Sequence, residues 1–240
     1  MRAVLAMSAA VMALCLTTGA AQADAQLTSH WQFGETSGTT TTDTVTAATA
    51  TLSGGVAFGP GKSGNGLVLS GGTATGPLTV DTAQSFTVSA WVTLSAACTA
   101  NCKLAAVSAD GVRSSRFSLG YVKDRNHLGN WNFVVAEADT DLAPVTATAV
   151  SVVPVDAGQW THVVGVYDAE NLQTLLFVDG NLVGAGRAEN QWSGTGTFTV
   201  GAARKAGATT SFFPGAVDEV RFYDSALNMD EVFALYLSEA

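Results

Sequence analysis

Basic residues are scarce in this sequence. Eleven Lys and Arg stand against twenty Asp and Glu in 240 residues, and the formal net charge is −9. No basic cluster occupies either end or the middle, which argues against nucleic acid or an anionic membrane as partner. That balance says little about neutral glycans. Histidine is rarer still. His30, His127 and His162 show no metal-ligand spacing with one another or with the cysteines, so a zinc site has too few ligands. There is no Gly-x-Ser-x-Gly and no His-Glu-x-x-His, which removes the common hydrolase and metalloprotease signatures. Helical periodicity is nearly absent before residue 228, and no linker or internal repeat divides the chain.

Long apolar runs are confined to the start. Arg2 precedes Ala3 to Leu16, which is apolar apart from Ser8, and Ala21-Gln22-Ala23 is a small-x-small cleavage signal. This pattern predicts a signal peptide over residues 1–23 and a secreted mature chain, residues 24–240, forming a single domain. The apolar stretch is shorter than the roughly 20 residues of a membrane helix, so no membrane insertion is expected after cleavage. Loss of Arg2 takes the formal charge from −9 to −10. Two cysteines remain, Cys98 and Cys102, in SAACTANCKL. In an exported protein a pair this close predicts a disulfide.

What the sequence does have is strand punctuation. SFTVSAWVTL alternates Phe86, Val88, Ala90 and Val92 with Thr87, Ser89, Trp91 and Thr93. WTHVVGVYD follows the same pattern, and LQTLLFVDGNLVGAG reads as a hairpin turning at Asp179-Gly180. Similar runs recur, separated by Gly, Asn, Asp and Ser every ten residues or so, which predicts an all-β sandwich or barrel. The exception is the C-terminus. Asn228 and Glu231 form an N-cap pair, and Val232, Phe233, Leu235, Tyr236 and Leu237 follow to dock a short helix.

The stretch GAVDEVRFYDSAL raises a separate question. Strict alternation puts Ala216, Asp218, Val220 and Phe222 on one face and Val217, Glu219, Arg221 and Tyr223 on the other. The first face is apolar except for Asp218, and a carboxylate there must be compensated. Backbone N–H groups or a Ser/Thr hydroxyl are one means; a metal ion is another.

Six phrases in order carry a resemblance: HWQFGETSG, GPGKSGNGLVLSGG, SFTVSAWVTL, GQWTHVVGVYD, LLFVDGNLVGAG and FFPGAVDEVRFYDSAL. Together they resemble the bacterial LamG-like (laminin G-like) jelly-roll domain of the concanavalin A-like superfamily, over about residues 27–238. The resemblance implies two antiparallel sheets in a sandwich, with the short C-terminal helix beside them. It does not imply one function, since members serve as adhesive, glycan-binding and accessory modules. It also implies a structural calcium ion held by Asp218, with Asp43 as the second side chain. Calcium takes six to eight oxygens, and such a site would tie the two ends of the chain together.

An enzyme on this fold needs two carboxylates flanking the cleaved bond. Glu137, Asp139 and Asp141 in VVAEADTDLAP are the one run of three acids each two apart, but Leu142-Ala143-Pro144 marks a strand ending in a loop. A solvated acidic loop is the expectation there, ahead of a weak calcium site and of catalysis. Tyr121, Trp131 and Trp192 are the aromatic candidates for a ligand platform, with His127, Phe212 and Phe213 behind them; for each the competing role is core packing. Arg204 and Lys205 form a small basic spot in what reads as a soluble loop. The expected function is a non-catalytic binding module for an extracellular glycan or protein surface. A laminarinase-like hydrolase or lyase and a structural surface protein are the alternatives.

Overall fold

The computed structural model describes residues 25–141 and 146–240. The leader expected over residues 1–23 and its cleavage site lie outside these residues. In chain order the strands are β1 (Leu27–Trp31), β2 (Thr40–Thr42), β3 (Thr49–Ser53), β4 (Val56–Pro60), β5 (Asn65–Leu69), β6 (Thr73–Pro77), β7 (Phe86–Leu94), β8 (Cys102–Asp110) and β9 (Ser115–Lys123). They continue with β10 (Leu128–Ala136), β11 (Thr146–Val150), β12 (Thr161–Asp168), β13 (Gln173–Val178), β14 (Asn181–Arg187), β15 (Thr197–Val200), β16 (Ala203–Lys205), β17 (Ala208–Thr210) and β18 (Gly215–Tyr223). One helix, α1 (Met229–Glu239), ends the chain.

Two eight-stranded sheets form the sandwich. The first runs β14-β13-β12-β7-β18-β5-β4, with β1 also paired to β18. The second runs β11-β10-β9-β8-β15-β6-β3-β2. All pairings within them are antiparallel. This is the all-β, two-sheet jelly-roll arrangement that the alternating runs predict. Asp179 and Gly180 both take positive φ, 48° and 76°, so the β13–β14 hairpin turns where the sequence places it. Among the described residues no helix is long and apolar enough to cross a membrane.

The core is built from the inward positions of both sheets. On β7 these are Phe86, Val88, Ala90, Val92 and Leu94; on β9, Phe117, Leu119 and Tyr121; on β10, Trp131, Phe133 and Val135. Phe86 meets Phe117 across the sandwich with ring centroids 5.0 Å apart, and Trp31 meets Phe198 at the same distance. Each such aromatic removes a large apolar area from water, worth about 1.5–3 kcal/mol per side chain.

Helix α1 begins with a complete capping box. The Asn228 side chain accepts the N–H groups of Asp230 and Glu231, while Glu231 reaches back to the Asn228 N–H. The helix covers Val164, Val166 and Phe177 on the outer face of the first sheet through Val232 and Leu235. Phe233 and Leu237 do not dock as the sequence suggests; both are exposed.

Strand β18 departs from strict alternation. A bulge lies between Asp218 and Arg221, and Glu219 takes a positive φ of 53°. The extra residue shifts the facing, so Val217, Val220 and Phe222 all join the core. Asp218 is paired with outward-facing Trp91 and therefore lies on the outer face, not among the core side chains.

Cys98 and Cys102 form a disulfide that closes the loop entering β8. The loop is short, so replacing both cysteines with Ser is expected to lower unfolding free energy by only about 2 kcal/mol. Urea melts of the two proteins measure this, and a difference near zero would mean that the bond does not constrain the unfolded chain.

Candidate functional site

The β16–β17 hairpin is the feature that makes a site. Its turn places positive φ at Ala206 (50°) and Gly207 (76°), the pattern of a tight two-residue hairpin. The tip is fastened by the Gly207 N–H donating to the Arg113 carbonyl. Its base is fastened by the Arg204 N–H donating to Ser115 Oγ, and just beyond it the Ala105 N–H donates to the Ser211 carbonyl. The hairpin so held stands over the outer face of β8 and β9. Between it and the outward residues of β8, β9 and β10 lies a cleft of about 420 Å³.

The cleft wall and floor follow from strand alternation. Ser118 on β9 lies between inward Phe117 and Leu119; Asn132 and Val134 on β10 flank inward Phe133. Lys103 enters from β8, and Arg204 and Lys205 from the hairpin. Asp141 lines the rim and is ion-paired with Arg113. Most of the polar groups sit on strands, so their positions are set by the sheet.

The acidic run is spent on local structure. Glu137 is buried and accepts the N–H groups of Glu189 and Asn190. Asp139 accepts three, from Val112, Arg113 and Ser114, at 2.7–2.8 Å. Burial opposes its charge, yet these donors outweigh that and hold its pKa below the usual carboxylate range. Arg113 likewise lowers Asp141. Glu137 fastens residues 189–190, while Asp139 and Asp141 both fasten the 112–114 turn, and of the three only Asp141 lines the cleft.

The aromatic candidates are placed differently from the expectation. Tyr121 and Trp131 are 1% and 3% exposed and pack edge to face at 6.4 Å inside the sandwich, so neither ring is a platform. The alternation of Trp131 with Phe133 marks the inward face of β10, where apolar area is removed from water. Tyr121 borders the cleft but is almost wholly covered. Trp192 is half-buried; its indole N–H donates to the Ala136 carbonyl and its ring lies over the buried Arg116 guanidinium. His127 pairs with Asp124, Phe213 is core, and Phe212 is exposed.

Asp218 and Asp43 serve separate loops. Asp218 Oδ2 accepts the Lys62 and Ser63 N–H groups, both at 2.9 Å, and Oδ1 accepts the Glu219 N–H at 2.8 Å. Asp43 accepts the N–H groups of His30 and Val45 and the Thr46 hydroxyl. Burial pushes the Asp218 pKa up to about 6 against its three donors. The N–H groups point their hydrogens where a cation would approach, and among the described residues no three His, Cys, Asp or Glu side chains gather as metal ligands. This donor set does not fit the expected calcium ion. The hydrogen-bonded alternative has its partners in place.

A laminin-G-type family profile, described as the concanavalin A-like lectin/glucanases superfamily, matches residues 64–233. The chain belongs to that superfamily. No curated protein matches the sequence. Solved structures of similar fold include domain 4 of AbnA, an extracellular arabinanase of Geobacillus stearothermophilus, in complex with arabinotriose. It is 20% identical with a TM-score of 0.65, and the match covers 88% of this chain and 98% of that one. A Trypanosoma rangeli sialidase is also 20% identical, TM-score 0.62, with 88% of this chain covered but 32% of the sialidase. The binding domain of botulinum neurotoxin DC in complex with SialylT is 13% identical, TM-score 0.68, covering 89% of this chain and 52% of that one. Thus the chain spans about a third of the sialidase and half of the toxin domain. At these identities the likeness shows the fold alone.

Two features of the site escape a reading of the sequence. The hairpin wall reads as a loop because its strands have three residues each; Ala206-Gly207 between short Thr- and Arg-bearing segments is the signal. The bulge in β18 has no glycine to announce it.

Proposed function

We propose that this protein is a non-catalytic, exported carbohydrate-binding module whose ligand lies in the cleft between the β16–β17 hairpin and the outer face of β8–β10. The observation that carries this reading is the cleft itself: a preformed concavity on a rigid sheet, lined by Ser118, Asn132 and basic side chains that can donate to sugar hydroxyls and ring substituents. Superfamily membership and carbohydrate-bound domains of the same fold support it. The Cys98–Cys102 bond suits an oxidising destination. The state of the acids supports a binder over a hydrolase. Glu137 and Asp139 are consumed by backbone N–H groups and Asp141 by Arg113, so an acid and base pair across the cleft is missing among the described residues.

Calorimetric titration against a panel of soluble oligosaccharides tests this. Wild type is expected to bind at least one member without cleaving it. Ser118→Tyr fills the floor of the cleft and is expected to abolish that binding while leaving the melting midpoint within a few degrees. Unchanged binding by Ser118→Tyr would move the site elsewhere, and release of shortened sugars would replace binding by catalysis.

A further inference from the structure

We propose that the cleft selects an anionic saccharide, one carrying carboxylate or sulfate groups along its chain; this rests on the reading of the cleft as a glycan site. The charge distribution is the argument. The chain has nearly two acids for each base, yet three of its eleven Lys and Arg residues line this one cleft. They come from distant segments, Lys103 from β8 and Arg204 and Lys205 from the hairpin, so only folding brings them together. One carboxylate lines the same space, Asp141, and Arg113 already neutralises it.

Holding three cations at one concavity is unfavourable unless something answers them. Few groups on the protein do. Asp110 approaches Arg204 Nε at 3.9 Å but is mainly engaged by the Ser115 and Thr199 hydroxyls. The Arg204 Nε is buried without a hydrogen-bond partner. Lys103 and Lys205 are exposed and have no ion pair among those formed by the described residues. The hairpin fixes the spacing of Arg204 and Lys205 relative to the sheet, since its tip and base are both hydrogen-bonded to β8–β9 and its turn. Between the cations lie neutral donors, Ser118 and Asn132, suited to hydroxyls. An array of cations interleaved with hydroxyl-binding groups matches a saccharide with periodic anionic substituents.

The test uses calorimetry with three probes: an oligogalacturonate for carboxylate, a heparin-derived oligosaccharide for sulfate, and a neutral gluco-oligosaccharide. At least one acidic probe is expected to bind, about tenfold more weakly when salt rises from low to a few hundred millimolar. Lys103→Gln and Lys205→Gln, both at exposed positions, should each weaken it about fivefold. Lys103→Glu with Lys205→Glu should remove it. Arg187→Gln, an equal charge loss on the other sheet, should leave it unchanged. Whichever acidic probe binds better identifies the anion. Equal, salt-insensitive binding of the neutral probe, or acidic binding that ignores both lysines, overturns the inference while the glycan site stands. Failure of all three probes and of the wider panel overturns both.

Discussion

Arg221→Met is expected to lower the unfolding free energy near neutral pH by about 3–5 kcal/mol, the usual result of removing one partner from a buried ionic network. Arg221 reaches Glu219 at 2.8 Å and also contacts Glu239; Glu219 is bound in turn by His30 at 2.6 Å. All four side chains are at most 14% exposed. Glu239 further accepts the Trp91 indole N–H at 2.8 Å, so this group of charges fastens α1 to the first sheet. Without the guanidinium, two carboxylates share a poorly solvated site, with His30 left to answer Glu219 and the Trp91 indole N–H and buried His162 left beside Glu239.

The pH dependence distinguishes this from lost packing. Burial raises the Glu239 pKa and Arg221 opposes that rise. In the variant it climbs further. A carboxylate whose folded pKa exceeds its unfolded value contributes most stability below about 4.5 and loses it as pH rises through the folded value. Glu219 acts in the same sense. Burial opposes its charge, but His30 and Arg221 hold its pKa down in the wild type, which gives stability above the unfolded value; the variant forfeits part of that. The deficit should therefore be smaller at about pH 4.5 than at neutral pH. Adding Glu239→Gln should recover part of the loss at neutral pH. Urea melts of the three proteins at both pH values check this, and a deficit independent of pH would make the role of Arg221 one of packing.

The sandwich was legible because its core strands alternate almost without interruption. Phe86 to Leu94 could be assigned face by face, and the pair Asn228 and Glu231 marked the helix start. Alternation assigns faces only while the register holds. In β18 a single extra residue, Glu219 at positive φ, reversed the faces around Asp218. The same limit applies to Trp131 and Tyr121. Alternation of Trp131 with Phe133 marks one face of β10, and the apolar content of that face sends it inward, where Trp131 packs on Tyr121 of β9. The cleft was not legible, since Lys103 and the Arg204–Lys205 pair lie far apart in sequence and the wall is a hairpin of minimal strands. The acids were visible, but not their partners. Backbone N–H groups of distant loops leave no trace in side-chain patterns, yet they decide what Glu137, Asp139 and Asp218 do.

The phrase GPGKSGNG acquires a physical reason from Asp218. The loop wraps the carboxylate so closely that a Cβ on Gly61 would lie 2.6 Å from Asp218 Oδ2, 2.6 Å from the Asn65 carbonyl carbon and 2.7 Å from its oxygen. Two of those atoms are backbone and cannot turn aside. Gly61→Ala must therefore lift the loop and lengthen the Lys62 and Ser63 hydrogen bonds to Oδ2. Overpacking and two weakened bonds to a charged acceptor together predict a loss of about 3 kcal/mol near neutral pH. The wild-type Asp218 pKa of about 6 already exceeds its unfolded value of 3.8, so its contribution to stability falls as pH rises between them. With its donors withdrawn the folded pKa rises further, and the fall continues to higher pH. Gly61→Ala should thus lie closest to wild type at about pH 4 and farthest at about pH 8. In an Asp218→Ala background, where no carboxylate waits beneath the loop, the same substitution should cost less, since the two sites share one interaction. Denaturant melts around this double-mutant cycle give the coupling. Strict additivity, with no dependence on pH, would mean that the loop is shaped by the backbone alone and that Asp218 does not hold it.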